Sequence, residues 1–227
     1  MTGAKRLTRI EAVVFDVGET LADETRAWGV WADHLGIPRL TFFSALGAVV
    51  VEGRSHRDVF ELFAPGIDVP AEARKLGVAG KSDLVSLDDL YPDALPALRQ
   101  LAEAGYRLAI AGNQPAPAAD VLAGMAIDFE FIGTSAGWGI EKPAPAFFER
   151  IARELFLPPE AIAYVGDRLD NDVRPARAAG MTAVFIRRGP WGWLQADAAM
   201  RSGIALGADI EIDSLAELAA ALEARRG

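Results

Sequence analysis

Four stretches of the chain hold side chains whose types could act together in one reaction. Asp16 ends the β-branched run AVVFD within FDVGETL, and Asn113 follows Gly112 at the end of YRLAIAGN. Lys142 precedes a proline in GIEKPAPAFF, and Asp167, Asp170 and Asp172 crowd YVGDRLDND. Each alone has an ordinary reading. Asp16 fits an acid in a strand-to-helix loop, Gly112-Asn113 a turn at a strand exit, and Lys142 a solvated loop residue. The three aspartates fit a helix N-cap with charge in its first turn. They equally fit the oxygen ligands that a hard cation such as Mg²⁺ requires.

The elements around these residues decide whether they can meet. Short apolar runs predict buried strands at residues 12–16, 106–113, 128–135, 161–167, 182–188 and, more weakly, 208–213. Between them, Leu95, Leu98 and Leu101 share one face of a helix over 93–105, and Phe148, Ile151 and Leu155 share one face of another over 145–156. A further helix closes the chain over 213–226. Strands alternating with helices predict an α/β fold, a doubly wound parallel sheet. All four stretches then lie at or just after C-terminal strand ends, the edge where such sheets bind ligands. Residues 23–90 break the rhythm. They read as helices punctuated by Gly36, Pro38, Gly53, Pro65, Gly66 and Pro70. The expected division is an α/β core over 1–22 and 91–227 with a helical insert over 23–90. The run AVVVEG inside that insert has the composition of a strand.

Composition narrows the function. Hydrophobic residues make up 51% of the 227 and charged residues 24%, a globular profile. The net charge of −9 argues against nucleic acid and against an anionic membrane surface, both of which need basic patches. It does not argue against a small anion, because a metal and a few donors can reverse the field inside one cleft. The chain has no cysteine, which excludes disulfides, thiolate metal sites and a cysteine nucleophile and fits a cytoplasmic location. No apolar run is long enough to span a bilayer.

The order strand-Asp16, strand-Asn113, Lys142-Pro, then Val-Gly-Asp167, Asn-Asp172-Val and Ala-Gly-Met resembles the haloacid dehalogenase superfamily over nearly the whole chain. The resemblance implies a hydrolase acting on a small phosphorylated metabolite, with Asp16 as nucleophile and transient phosphoryl acceptor. It implies Mg²⁺ held by Asp16, the carbonyl of Gly18 and Asp167, with Asp172 supporting that site. Lys142 would neutralise the nucleophile and the phosphoryl oxygens. Asn113 would donate to them, with Gly112 beside it in the substrate site. The helical insert would be the cap that closes over the substrate.

Two positions depart from the family pattern. Phosphatases of this kind carry a second aspartate two residues after the nucleophile, and here that residue is Gly18. Gly112 stands where a hydroxyl side chain is usual. Without the second acid, hydrolysis should depend on leaving-group acidity: a burst on an aryl phosphate, near silence on sugar phosphates, and a gain from Gly18→Asp. Glu19 either reaches into the site in its place or points to solvent. The alternative function is a catalytically impaired protein of the same fold that binds a phosphorylated ligand or a protein partner. Dehalogenation ranks low, because it needs no metal and the chain keeps Val-Gly-Asp167. Trp28 and Trp31 suit packing within the insert or the floor of a pocket. Arg26, Arg54 and Arg57 are the insert's candidates for anion contacts. In RRGPWGW, Arg187, Arg188, Trp191 and Trp193 fit either an anionic substrate or a homodimer interface. His34 and His56 lack metal-ligand spacing.

Overall fold

The computed structural model describes residues 9–78 and 84–225. Six parallel strands form one sheet in the order β3-β2-β1-β4-β5-β6: β1 (Ala12–Phe15), β2 (Arg107–Gly112), β3 (Phe129–Thr134), β4 (Ile162–Gly166), β5 (Thr182–Ile186) and β6 (Ile210–Ile212). Each falls within the stretch whose apolar run marks it. β1 is buried at every residue because it is the central strand, with β2 on one side, β4 on the other and helices over both faces.

Residue alternation splits the core into two layers. Val13 and Phe15 point to one face with Leu98, Leu101, Ile110, Val165, Val184, Leu218 and Leu222. Ala12 and Val14 point to the other with Phe147, Phe148, Ile151, Leu155, Tyr164 and Phe185. The first layer is covered by α5 (Ala94–Glu103), α6 (Ala118–Ala123) and α11 (Leu218–Ala224). The second is covered by α8 (Pro145–Leu155), α9 (Arg174–Ala178) and α10 (Gly189–Ser202). A short helix, α7 (Ser135–Trp138), follows β3. Helices on both faces of an all-parallel sheet make this a doubly wound α/β fold.

Between β1 and α5 the described residues hold α1 (Thr25–His34), α2 (Arg39–Val51), α3 (Asp58–Phe63) and α4 (Val69–Val78), and no strand of the sheet. The strand-like AVVVEG belongs to α2 and the turn after it. Val49 and Val50 pack with Trp31, Phe42, Leu46, Val59, Phe60 and Leu76 in a separate cluster, which Trp191 of α10 joins from the core, while Val51 is exposed. The chain leaves and re-enters the core side by side: Asp23 N–H donates to Asp89 O at 2.8 Å, and Tyr91 N–H donates to Leu21 O at 2.9 Å.

The sheet order is what assembles the site. β2, β1 and β4 are adjacent and parallel, and Phe15 is in register with Ile110 and Val165. The residues just past their ends, Asp16, Asn113 and Asp167, therefore emerge together on one edge.

Candidate active site

Asp16 leaves β1 still tied to the sheet, its N–H donating to Val165 O at 2.9 Å. The next residues turn back at once: the N–H groups of Leu21 and Ala22 both donate to Val17 O, at 2.9 and 3.0 Å. Lys142 reaches in from the β3–α8 connection, across a cis peptide to Pro143. Its Nζ lies 2.6 Å from Asp16 Oδ1 and 2.6 Å from Asp172 Oδ1, with all three side chains buried. Burial alone would lower the Lys142 ammonium, but the two carboxylates outweigh it and hold it well above its ordinary value.

Asp172 is fully committed in this arrangement. Its Oδ1 accepts from Lys142 and its Oδ2 from the Arg168 backbone N–H at 3.0 Å. Burial pushes its carboxyl up to about 6 while Lys142 pulls it down. Asp167 has less help. Its Oδ2 is buried with no hydrogen-bond partner. Burial, then the charges of Asp172 and Asp16, drive its carboxyl well above the usual range. Asp16, Asp167 and Asp172 each offer a carboxylate oxygen within 4.8 Å of the others. Three crowded carboxylates face one ammonium, and one oxygen among them has no donor. An oxygen-seeking divalent cation supplies the missing charge and the missing partner, so the residues present fit one. Asp170, the third acid of YVGDRLDND, turns away and pairs with Arg168 at 2.8 Å and with Gln195 at 2.8 Å.

Asn113 lines the cavity, but its amide is spent on the lysine loop. Its Nδ2 donates to Lys142 O at 3.0 Å, and its Oδ1 accepts from Lys142 N–H at 2.8 Å. It positions Lys142 first, and a second amide hydrogen is left for a ligand. Gly112 has a local reason to lack a side chain, since a β-carbon there would lie 2.7 Å from Asp16 Oδ1.

Glu19 adopts a left-handed backbone, φ 52°, and lines the cavity with both carboxylate oxygens hydrogen-bonded. It accepts from the Tyr91 hydroxyl and, at 3.1 Å, from the Glu24 backbone N–H. Burial raises its carboxyl above the ordinary value. A β-carbon on Gly189 would overlap it, which closes the wall behind it.

The cavity beside Asp16 is walled by Gly18, Glu19, Glu24, Lys142, Asp167 and Arg168 from the sheet edge. Trp28, His56 and Trp191 line its outer part. Trp28 both packs and faces the cavity: it contacts Phe42, Phe60 and Trp191, and its Nε1 donates to Glu24 Oε2 at 3.2 Å. Trp31 packs within the insert. His56 stands edge-on to Trp28 and Trp191, and burial lowers it to about 4, so it is neutral near pH 7.

Four cavity residues escaped the sequence reasoning: Glu24, Gln114, Arg168 and Asn171. Arg168 stacks on Trp191 at 5.3 Å, and its only signal was its place directly after Asp167. Asn171 sits between the two acids. Glu24 lies deep in the cavity wall, and burial, then the charges of Glu19 and Asp16, raise its carboxyl to about 7. Its carboxyl fills the space into which a side chain on Gly18 would grow.

Four of the candidate anion contacts of the sequence, Arg26, Arg54, Arg187 and Arg188, pair with acids instead. Arg187 pairs with Asp213 and stacks on Trp193 at 5.3 Å. Arg188 pairs with Asp93 and stacks on Tyr91 at 4.1 Å. Arg26 pairs with Asp89 at 2.7 Å, and Arg54 with Glu52 and Asp58. Arg57 is exposed at the start of α3. Trp191 is buried while Trp193 is 60% exposed, so the two tryptophans do not form one patch. His34 pairs with Glu72 at 2.8 Å.

Residues 10–180 match the profile of the haloacid dehalogenase-like hydrolase family. A glyceraldehyde 3-phosphate phosphatase from Methanopyrus kandleri is 34% identical over 204 residues, covering 80% of this chain and 86% of that protein. The crystal structure of a HAD phosphatase from Thermococcus onnurineus is 27% identical with a TM-score of 0.57, covering 92% of this chain and 96% of that one. A 2-haloacid dehalogenase from Pseudomonas syringae, 24% identical with a TM-score of 0.55 over 96% of this chain and 100% of that one, shares the fold. With the strand-end acids, the buried lysine and the doubly wound sheet all in place, the chain belongs to the haloacid dehalogenase-like hydrolase family.

Proposed function

We propose that the protein is a Mg²⁺-dependent phosphatase that transfers the phosphoryl group of a small phosphorylated metabolite to Asp16. The observation that carries this reading is the buried knot at the sheet edge. Lys142 holds Asp16 and Asp172 at 2.6 Å each, while Asp167 keeps a buried oxygen without a partner. Asp16, the carbonyl of Gly18 and Asp167 would hold Mg²⁺, with Asp172 supporting them through Lys142 and the Arg168 N–H. The ion supplies positive charge for the phosphoryl oxygens when bound.

An Asp16 carboxylate oxygen bonds to phosphorus as the ester P–O bond breaks, leaving an aspartyl phosphate and an alcohol. Water then bonds to phosphorus, the bond to Asp16 breaks, and inorganic phosphate departs. Lys142 holds the Asp16 carboxylate in place and offsets charge on the incoming phosphoryl group. Asn113 keeps the Lys142 loop in register. The outer wall of Trp28, His56 and Trp191 excludes water from the leaving group. The glyceraldehyde 3-phosphate phosphatase at 34% identity supports a small, singly phosphorylated substrate, and the helical module over 23–90 would be the element that selects it. A panel of phosphomonoesters assayed with and without Mg²⁺ tests the reading. The expected result is phosphate release that needs Mg²⁺ and falls at least about 10³-fold in Asp16→Asn. Binding of phosphate esters with no release would favour a ligand-binding role instead.

A further inference from the structure

Breaking an alkyl ester bond needs a proton for the departing oxygen, because an alkoxide is a poor leaving group, and such a proton is typically worth ~10²–10⁴ in rate. Residue 18 has no side chain to give one. The cavity has acids at Asp16, Glu19, Glu24 and Asp167. Asp16 is bound to Lys142 and takes the phosphoryl group, and Asp167 faces the cation site. Glu19 spends one oxygen on the Tyr91 hydroxyl and the other on the Glu24 N–H.

Glu24 is placed differently. Its Oε2 accepts from Trp28 Nε1 at 3.2 Å, and its backbone N–H is held by Glu19 at 3.1 Å, so the residue is fixed at both ends. Its Oε1 accepts no hydrogen bond from the described residues and points to Gly18, where a β-carbon would overlap it. Gly18 itself does not have a positive φ, so its backbone does not call for glycine. The space does: residue 18 must be bare for the Glu24 carboxyl to stand beside Asp16.

We propose that Glu24 is the catalytic acid and base of this site, working from the start of α1 through the space that Gly18 leaves open. This rests on the reading of Asp16 as phosphoryl acceptor. As Asp16 bonds to phosphorus and the ester bond breaks, the Glu24 Oε1 proton passes to the departing oxygen, which leaves as an alcohol. The Glu24 carboxylate then takes a proton from the attacking water as the bond between Asp16 and phosphorus breaks. Phosphate leaves and Glu24 ends protonated, as it began.

The test compares an alkyl ester, glycerol phosphate, with an aryl ester, 4-nitrophenyl phosphate, whose leaving group needs no proton. First-turnover and steady-state rates are measured in Mg²⁺ for wild type, Asp16→Asn, Glu24→Gln, Glu24→Ala, Gly18→Asp and the double variant Gly18→Asp/Glu24→Ala. Glu24→Gln should lose about 10²–10³-fold on the alkyl ester but under about tenfold in the first turnover of the aryl ester. The aryl reaction should then show a burst, because the second step also lacks its base. Gly18→Asp alone should lose activity by forcing two carboxyls into one space, yet the same change should recover at least about tenfold in the Glu24→Ala background. That reversal of sign is not expected of a merely structural Glu24. Equal losses on both esters in Glu24→Gln, or no recovery in the double variant, would overturn the proposal. Wild-type rates in Asp16→Asn, or no turnover of either ester by wild type, would instead sink the phosphoryl-acceptor reading on which it stands.

Discussion

Around Lys142 the balance of charge decides what a single substitution does. One buried ammonium serves two buried carboxylates, Asp16 and Asp172, and removing it leaves them uncompensated. Lys142→Met should destabilise the fold by about 3–5 kcal/mol in urea unfolding without added metal, and Mg²⁺ should return part of that loss. A change under about 1 kcal/mol would show that the triad is not electrostatically coupled. Most of this set was legible in the sequence through its order, which resembles that of the haloacid dehalogenase superfamily, although Lys142 comes from the β3–α8 connection rather than a strand end. The second acid was not. The sequence left Glu19, the neighbour of Gly18, either reaching into the site or pointing to solvent, whereas the turn after β1 aims Glu19 at Tyr91 and brings Glu24 beside Gly18 from the start of α1. The expectation that no group stands near residue 18 is corrected by the Glu24 carboxyl beside it, and if Glu24 acts as proposed, Gly18→Asp should give a loss rather than the simple gain the sequence led us to expect. Nothing in DETRAW distinguishes Glu24 from an ordinary first-turn acid until the chain folds back.

The helices over 25–78 meet the core at a seam where His56 packs edge-on against Trp28 and Trp191, and the two tryptophans are tilted to each other. Burial, aided by Arg168 and Arg57 against the weaker pull of Asp170 and Asp58, lowers His56 from 6.5 to about 4. The unfolded chain thus binds a proton near pH 6.5 that the folded chain refuses until about pH 4. Stability is fully present above pH 6.5 and declines as pH falls toward 4, by up to about 3 kcal/mol. His56→Phe should flatten that slope in unfolding measured from pH 7 to 4.5, and an unchanged slope would place the loss elsewhere. The elements themselves were largely readable from periodicity. All six strands lie in the expected runs, since buried parallel strands announce themselves by continuous apolar sequence. α10 lies in a stretch to which the sequence pattern assigned no element; proline suits the first turn of a helix, and Gly189 takes a positive φ of 62°. AVVVEG went the other way. Its valines favour a strand locally, but the packing of Val49 and Val50 with Trp31, Phe42 and Phe60 holds the run in α2.

For the whole molecule the sheet order does most to create function, because it lines up the ends of β2, β1 and β4. That order follows from connection rules more than from any one residue, which is why the architecture was readable while Glu24 and Arg168, brought to the cavity by the folding of the chain, were not. A cation that binds the folded carboxylates and not the unfolded chain raises stability by mass action, about 2.7 kcal/mol at a hundredfold excess over its dissociation constant. Mg²⁺ should therefore raise the Tm of the wild-type protein, and Asp167→Asn, which removes the charge at the unpartnered oxygen, should abolish that rise. An equal shift in both would put the ion elsewhere. The central claim is that Asp16 carries the phosphoryl group, and acid quenching during turnover of a radiolabelled phosphate ester tests it most directly. Label should appear on the protein, survive acid, be released by hydroxylamine as an acyl phosphate, map to the peptide containing Asp16 and be absent in Asp16→Asn. Turnover with no labelled protein at any quench time, together with wild-type hydrolysis by Asp16→Asn, would contradict it.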